Sequence, residues 1–356
     1  MTTATPGSAG TGSPGQRRAG GRRRGGGGPR ERALVPEATF SSYYGRPVLK
    51  APVWEADVPG YLFLGGVAAG SSLLAAGADL TGRTALRRSS RAGALIGIGV
   101  SFGLLVHDLG KPSRFYNMLR IAKPSSPMSM GTWILTLYGP AAGIAAAAEL
   151  LPLVRGRRDL LGRLARGPLG GLLGGAARPA GLGAATFAPL VASYTAVLLA
   201  DTAVPSWHDG FRELPFVFVG SAAAASGGLA LITTGGRDAG PARRLAVAGA
   251  VGELIAGHRM EQGMGLSAEP LHLGKAGRLN RAARALTAGG AALAVVGRRS
   301  RPLSALAGAA LLAGSACTRF AVFEAGVAST KDPKYVVIPQ RERVARGEAV
   351  RHDTRT

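Results

Sequence analysis

PGYLFLGGVAAGSSLLAAGADL, residues 59–80, contains a single charged side chain, Asp79. About 20 predominantly apolar residues carry a helix across the hydrocarbon of a bilayer. This stretch therefore predicts a transmembrane helix. Seven further stretches repeat the pattern: 92–107, 130–151, 182–204, 212–235, 242–260, 282–297 and 302–327. The sixth and seventh are the weakest, because charged residues interrupt or shorten them. The expected fold is an all-α, polytopic membrane protein of about eight transmembrane helices. An even number of crossings puts both termini on one side, side A; the opposite face is side B.

Composition agrees. Of 356 residues, 46% are hydrophobic and 18% charged, below the usual quarter for soluble domains. The average hides very polar ends: residues 1–38 are rich in Gly, Pro, Ser, Thr and Arg and read as a disordered basic tail. Arg17 and Arg18 form a twin arginine, but no hydrophobic region follows, so a cleaved export signal is not expected. The net charge of +23 raises nucleic-acid binding as a class. The basic residues, however, sit in tails and short loops between apolar runs, and no nucleic-acid partner is expected. One cysteine, Cys317, excludes an internal disulfide and a Cys-ligated iron–sulfur cluster in this chain. It reads as a buried free thiol.

Small residues recur at four-residue spacing in Gly66/Gly70, Gly93/Gly97, Gly99/Gly103 and Gly139/Gly143. In lipid such faces let helix backbones approach closely. Tyr61–Gly65 (YLFLG) also lines up with Phe216–Gly220 (FVFVG), and the second and sixth spans each end in a histidine, His107 and His258. This suggests two parallel four-helix halves: a first bundle over 39–204 and a second over 205–328, with a polar C-terminal tail over 329–356. Lys and Arg are nearly balanced between the two sides, so charge gives no orientation.

The chemistry-bearing residues are unevenly placed. All five His (107, 208, 258, 272 and 352) and all three Trp (54, 133 and 207) fall on side A, with most of the acids. His107 and Asp108 end the second span, where an amphipathic ring would meet the headgroups. Histidine titrates nearest neutrality and suits proton exchange, although a His at a helix C-terminus is also favoured by the helix dipole. Glu55 and Asp57 precede the first span beside Trp54; they either bind protons or are simply solvated. Glu253 lies inside the sixth span, where an ionisable group is a functional hypothesis by default, with His258 as its nearest partner. Arg319, late in the eighth span, is expected to snorkel to side A. Only His107 and His258 lie near helix interiors, both at one end, so no haem is expected.

Three stretches resemble one family. They are WEADVPGYLFLGGVAAG (54–70), HDLGKPSRFYNML with SPMSMGTWILTLYG (107–139), and RFAVFEAGVASTKDP with PQRER (319–343); TAVPSWHDGFRELPFVF (202–218) also fits. These are similar to the NrfD/PsrC family, the quinone-interacting membrane subunits of polysulfide-reductase-like complexes. The resemblance implies eight helices in two four-helix bundles, a multi-pass place in the cell membrane, and no redox cofactor in this chain. It implies menaquinone or ubiquinone as substrate, an iron–sulfur ferredoxin-like partner, and a molybdopterin-type catalytic subunit.

Carried over by position, the resemblance makes His107 and Asp108 the hydrogen-bond partner and proton acceptor. Trp54, Glu55, Asp57, Tyr61 and Tyr138 would hold the quinone. Lys111 and Arg114 would contact the partner subunit, and Glu253 and His258 would serve a proton path. Two other classes remain open at this level: a transporter or proton channel, and a pure anchor for a peripheral oxidoreductase. A transporter usually places charged or broken helices at the midplane, where this sequence has only Glu253.

Overall fold

The computed structural model describes residues 47–347 other than 110, 112, 114 and 158. The expected basic tail over 1–38, Arg114, His352 and the end of the C-terminal tail lie outside the described residues. The described residues form helices and no strand. Eight helices are long: α1 (Asp57–Leu80), α2 (Thr84–Asp108), α4 (Pro127–Val154), α6 (Pro168–Ala200), α8 (Leu214–Thr233), α9 (Ala239–Gly263), α10 (Gly274–Val296) and α11 (Arg301–Lys331). Each coincides with one expected span. Short helices α3 (Phe115–Met118), α5 (Leu160–Arg166) and α7 (Pro205–His208) lie in the connections, and α12 (Lys334–Ala345) follows α11. Six of the eight are long and apolar enough to cross a membrane: α1, α2, α4, α6, α8 and α11. The two that fall short, α9 and α10, are those in which the sequence is interrupted by charge.

The helix starts follow from local chemistry. Ser126 caps α4 by accepting from the Ser129 amide, with Pro127 in the first turn. Ser300 caps α11 in the same way, ahead of Pro302. The main departure from expectation is α6, which begins at Pro168 rather than near residue 182. The Gly-rich run 168–181 reads as a side-B loop because glycine weakens helices in water. In an apolar surrounding the backbone must hydrogen-bond to itself, and the run stays helical.

Packing explains what the glycines do. Within α1, α2, α4 and α6, α1 packs on α2 and α6, and α4 packs on α2 and α6. Within α8–α11, α8 packs on α9 and α11, and α10 packs on α9 and α11. The two sets meet mainly through α1 and α8. A Cβ on Gly97 would lie 3.0 Å from the Leu64 carbonyl oxygen, and one on Gly70 would meet the Ser226 side chain. Gly66, Gly70, Gly93 and Gly97 thus sit at crossings. Gly99, Gly103, Gly139 and Gly143 do not: a Cβ at any of them meets nothing within 4 Å. The spacing alone does not separate a packing face from an open one.

At side B, Glu149 of α4 accepts from Arg87 (2.7 Å) and Arg91 (2.8 Å) of α2, and Arg87 also reaches Asp79 of α1 at 3.2 Å. This network ties three helices together where they leave the apolar layer.

The C-terminal segment is held on side A. Tyr335 of α12 is buried, and its hydroxyl donates to Glu269 at 3.2 Å, while Lys334 pairs with the same carboxylate at 2.8 Å. The lysine holds the Glu269 carboxyl below its ordinary range, and Glu269 holds the Lys334 ammonium above its own. The depressed carboxyl stabilises docking above its unfolded value and loses that effect as pH falls through its folded one. The raised ammonium contributes below the ordinary lysine value and is lost as pH rises through its folded one. Hydrogen exchange over 334–345 should therefore accelerate on acidification below the ordinary glutamate range and again in strong alkali. Glu269→Gln should abolish the acid limb, and high salt should weaken both.

Candidate functional site

Side A of α1 and α2 brings together part of the expected constellation. His107 Nδ1 and Asp57 Oδ2 lie 2.5 Å apart and pin the end of α2 to the start of α1. The imidazole is 81% exposed, so the pair sits at the surface. Glu55 is exposed beside it, and Asp108 is half-buried. Trp54 stacks on Trp207 with ring centroids 5.6 Å apart. Trp207, fully buried, donates from Nε1 to the Val322 carbonyl at 2.8 Å and packs on Phe323. The entry to α1 is thereby fixed to α11. Tyr61 is buried in the same apolar cluster, and its carbonyl accepts from Ser101 of α2 at 3.0 Å.

Tyr138 is not part of this group. It is fully buried and hydrogen-bonds Ser72 of α1 at 2.8 Å. Ser72 lies 15 residues beyond Asp57, which is about 22 Å along the helix. Tyr138 therefore joins α4 to α1 deep in the interior, away from His107. Lys111 is exposed, as a partner-facing residue would be.

Between α2, α3 and α4 lies a cavity of ≈ 360 Å³ that the sequence did not reveal. Phe102 and Phe115 meet edge to face at 4.8 Å on its wall, with Ile98, Leu105 and Leu135. Its polar groups are the hydroxyls of Ser101, Thr132 and Thr136. Each donates to a backbone carbonyl, which leaves oxygen lone pairs able to accept. Ile98, Ser101, Phe102 and Leu105 form one stripe at helical spacing, and the next turn of that stripe is Asp108. His107 falls about 100° further round, on the side of α1 away from the cavity. Asp108, rather than His107, is the group that spacing puts nearest the mouth.

In the other helix set Glu253 is 5% exposed and accepts from Thr318 at 2.5 Å. His258 is not its partner. Five residues place it about 140° round α9, where it is exposed and bonds Gln262 at 3.1 Å. Arg319 does not snorkel. It is 1% exposed, its guanidinium lies 3.6 Å over the Phe218 ring, and Nη2 donates to the Phe218 carbonyl at 2.8 Å. Its guanidinium is held against α8, where the Phe218 ring and carbonyl cap it, instead of running along α11 to side A. An arginine near a span end gives no warning of such a cap; the acid at Glu253 was the available signal.

Residues 47–247 match the family described as polysulphide reductase, NrfD. The chain belongs to the NrfD family. With its apolar helices it is a multi-pass membrane protein. The match takes in the first helix set and runs into α9, so the cavity and the Asp57–His107 pair both lie inside it. A comparison with curated proteins gives no match.

Gly326 faces Trp207 so closely that any Cβ there would overlap the indole. Gly326→Ala should displace Trp207 and unstack Trp54, at about 1–3 kcal/mol. A fall in thermal stability in detergent, with a shifted tryptophan emission, would show it; unchanged values would mean the stack does not fix α1.

Proposed function

We propose that the chain is the quinone-exchanging membrane subunit of a polysulfide-reductase-like oxidoreductase complex. It spans the plasma membrane eight times in two four-helix bundles. The observation that carries this reading is the ≈ 360 Å³ apolar cavity between α2 and α4, with the half-buried Asp108 one turn beyond the lining stripe of α2. A quinone headgroup is a flat apolar ring with two oxygens, and it reaches its site from the lipid. Phenylalanine walls accept the ring, while the hydroxyls of Ser101, Thr132 and Thr136 and the Asp108 carboxylate offer acceptors to a quinol.

Oxidising a quinol to a quinone releases two protons and two electrons. Asp108 takes one proton from the quinol and, once that has been passed on, takes the second. The exposed His107–Asp57 pair beside that carboxylate passes protons on to bulk water, His107 being the side chain suited to do so near neutral pH. The electrons leave for an iron–sulfur partner docked on side A, where Lys111 and Glu55 are exposed, and from there reach a molybdopterin-type subunit. In the reverse direction the same groups supply the protons.

Gly139 lines the cavity, and a Cβ there meets nothing, so Gly139→Leu fills the slot without forcing the helices apart. In the reconstituted complex, with a short-chain ubiquinol or menaquinol analogue, Gly139→Leu and Asp108→Asn should each lower turnover by about tenfold or more. Co-purification of the partner subunits should be unchanged. Full activity in Gly139→Leu would refute the site. Loss of assembly in both variants, with normal turnover in whatever complex remains, would favour a pure anchor.

A further inference from the structure

The second helix set buries charge for which quinone exchange has no use. Glu253 Oε2, Thr287 Oγ1, and Nε and Nη1 of Arg319 are buried without a hydrogen-bond partner. Orphaned groups of this kind are ordinarily met by ordered water. A cavity of ≈ 40 Å³ adjoins Glu253 and Thr287, room for about two or three waters. It runs between α9 and α10 past Asn280 and Arg284 to Glu261. Glu261 accepts from Asn280 at 2.9 Å, pairs with Arg284, and lies 3.6 Å from His272; the arginine and histidine are both exposed on side A.

Toward side B the lining ends at Glu253, Thr287 and Thr318, and the helices pack closely beside and beyond them. A Cβ on Gly314 would sit 2.7 Å from Thr287 Oγ1, and one on Gly249 would lie 2.5 Å from the Ala224 amide. The charged groups around Glu253 are Arg319 of α11, Arg284 of α10 and Glu261 of its own helix, while α8 brings Val217 and Ser221. Arg319 also reaches the seam between the helix sets, since a Cβ on Gly66 of α1 would lie 3.2 Å from Nη2.

We propose that Glu253 is a proton-binding carboxyl at the end of a water-filled blind channel that opens on side A alone, with Arg319 holding its ionised form. The carboxylate takes a proton from the cavity water, becomes the neutral acid, and returns the proton by the same route, so nothing crosses to side B. The inference rests on the membrane reading but not on the quinone site, and each can fail without the other.

The test uses the full chain carrying Cys317→Ser, in sealed vesicles of both orientations, with no partner subunits. Ser125→Cys marks side A and Gly156→Cys marks side B, both being exposed. A membrane-impermeant thiol reagent should label Ala283→Cys, on the cavity wall, only from the face that labels Ser125→Cys. It should leave Ala294→Cys, buried toward side B, unlabelled from either face. Dicyclohexylcarbodiimide, which attacks a protonated carboxyl in an apolar place, should add its mass at residue 253 and lose that adduct in Glu253→Gln. At neutral pH the adduct should rise about tenfold in Arg319→Gln and return to the starting level in Arg319→Lys, a charge effect that a packing role would not reverse. Labelling of Ala283→Cys from both faces or from neither, or no adduct on Glu253 between about pH 5 and 9, would overturn the proposal. The thiol arm decides even if Arg319→Gln does not fold.

Discussion

A helix in lipid has no water to take up its peptide groups, and no hydrophobic force drives one helix against the next. What holds this protein together is therefore close approach of backbones, and α8 shows it best. A Cβ on Gly228 would lie 2.7 Å from the Gly308 carbonyl oxygen of α11, and one on Gly220 would lie 2.6 Å from the Glu253 amide of α9. With two neighbours this near, α8 can also bear on α1 and α6. Dispersion over such contacts is small per atom and large in sum. The polar work at side A is done on a frame that glycine keeps rigid.

That frame lets the side-A residues be positioned by few bonds. Asp57 and His107 come together because α1 and α2 cross along Gly97 and Ser101. The connection between α6 and α8 folds inward, and Trp207 takes the space beside Gly326 that any other residue would fill. Trp54 then has a surface to stack on. The side-B network of Asp79, Arg87, Arg91 and Glu149 does the same at the opposite end.

The eight long helices were legible because apolar length is a property of each segment alone. The weakness of α9 and α10 was legible for the same reason. Other features depend on neighbours. Gly139 and Gly66 have the same spacing, yet one opens onto a cavity and the other faces a guanidinium. Arg319 reads as a residue near a span end, yet the Phe218 ring and carbonyl of α8 hold it inside. His258 stands near Glu253 in sequence, but helical rotation separates them, whereas Thr318 reaches Glu253 from another helix. Trp54, Glu55, Asp57, Tyr61, His107 and Asp108 lie together at one end of α1 and α2. Tyr138 was wrongly joined to them because depth along a span is not visible in a motif.

The short internal match between α1 and α8 has a sequel in the two cavities. Phe102 precedes His107 by the same five residues that separate Glu253 from His258. Each therefore faces the gap between the second and third long helices of its own set, where each lines a cavity. One hollow has mostly apolar walls with three hydroxyls, and the other carries two carboxylates, an amide and a guanidinium. A duplicated scaffold that starts with two equal niches can let one specialise for an oily guest while its twin turns to water. The crossings are not shared: in these registers Gly66, Gly70, Gly93 and Gly97 stand opposite Ser221, Ala225, Arg244 and Ala248, so each niche is framed by its own packing.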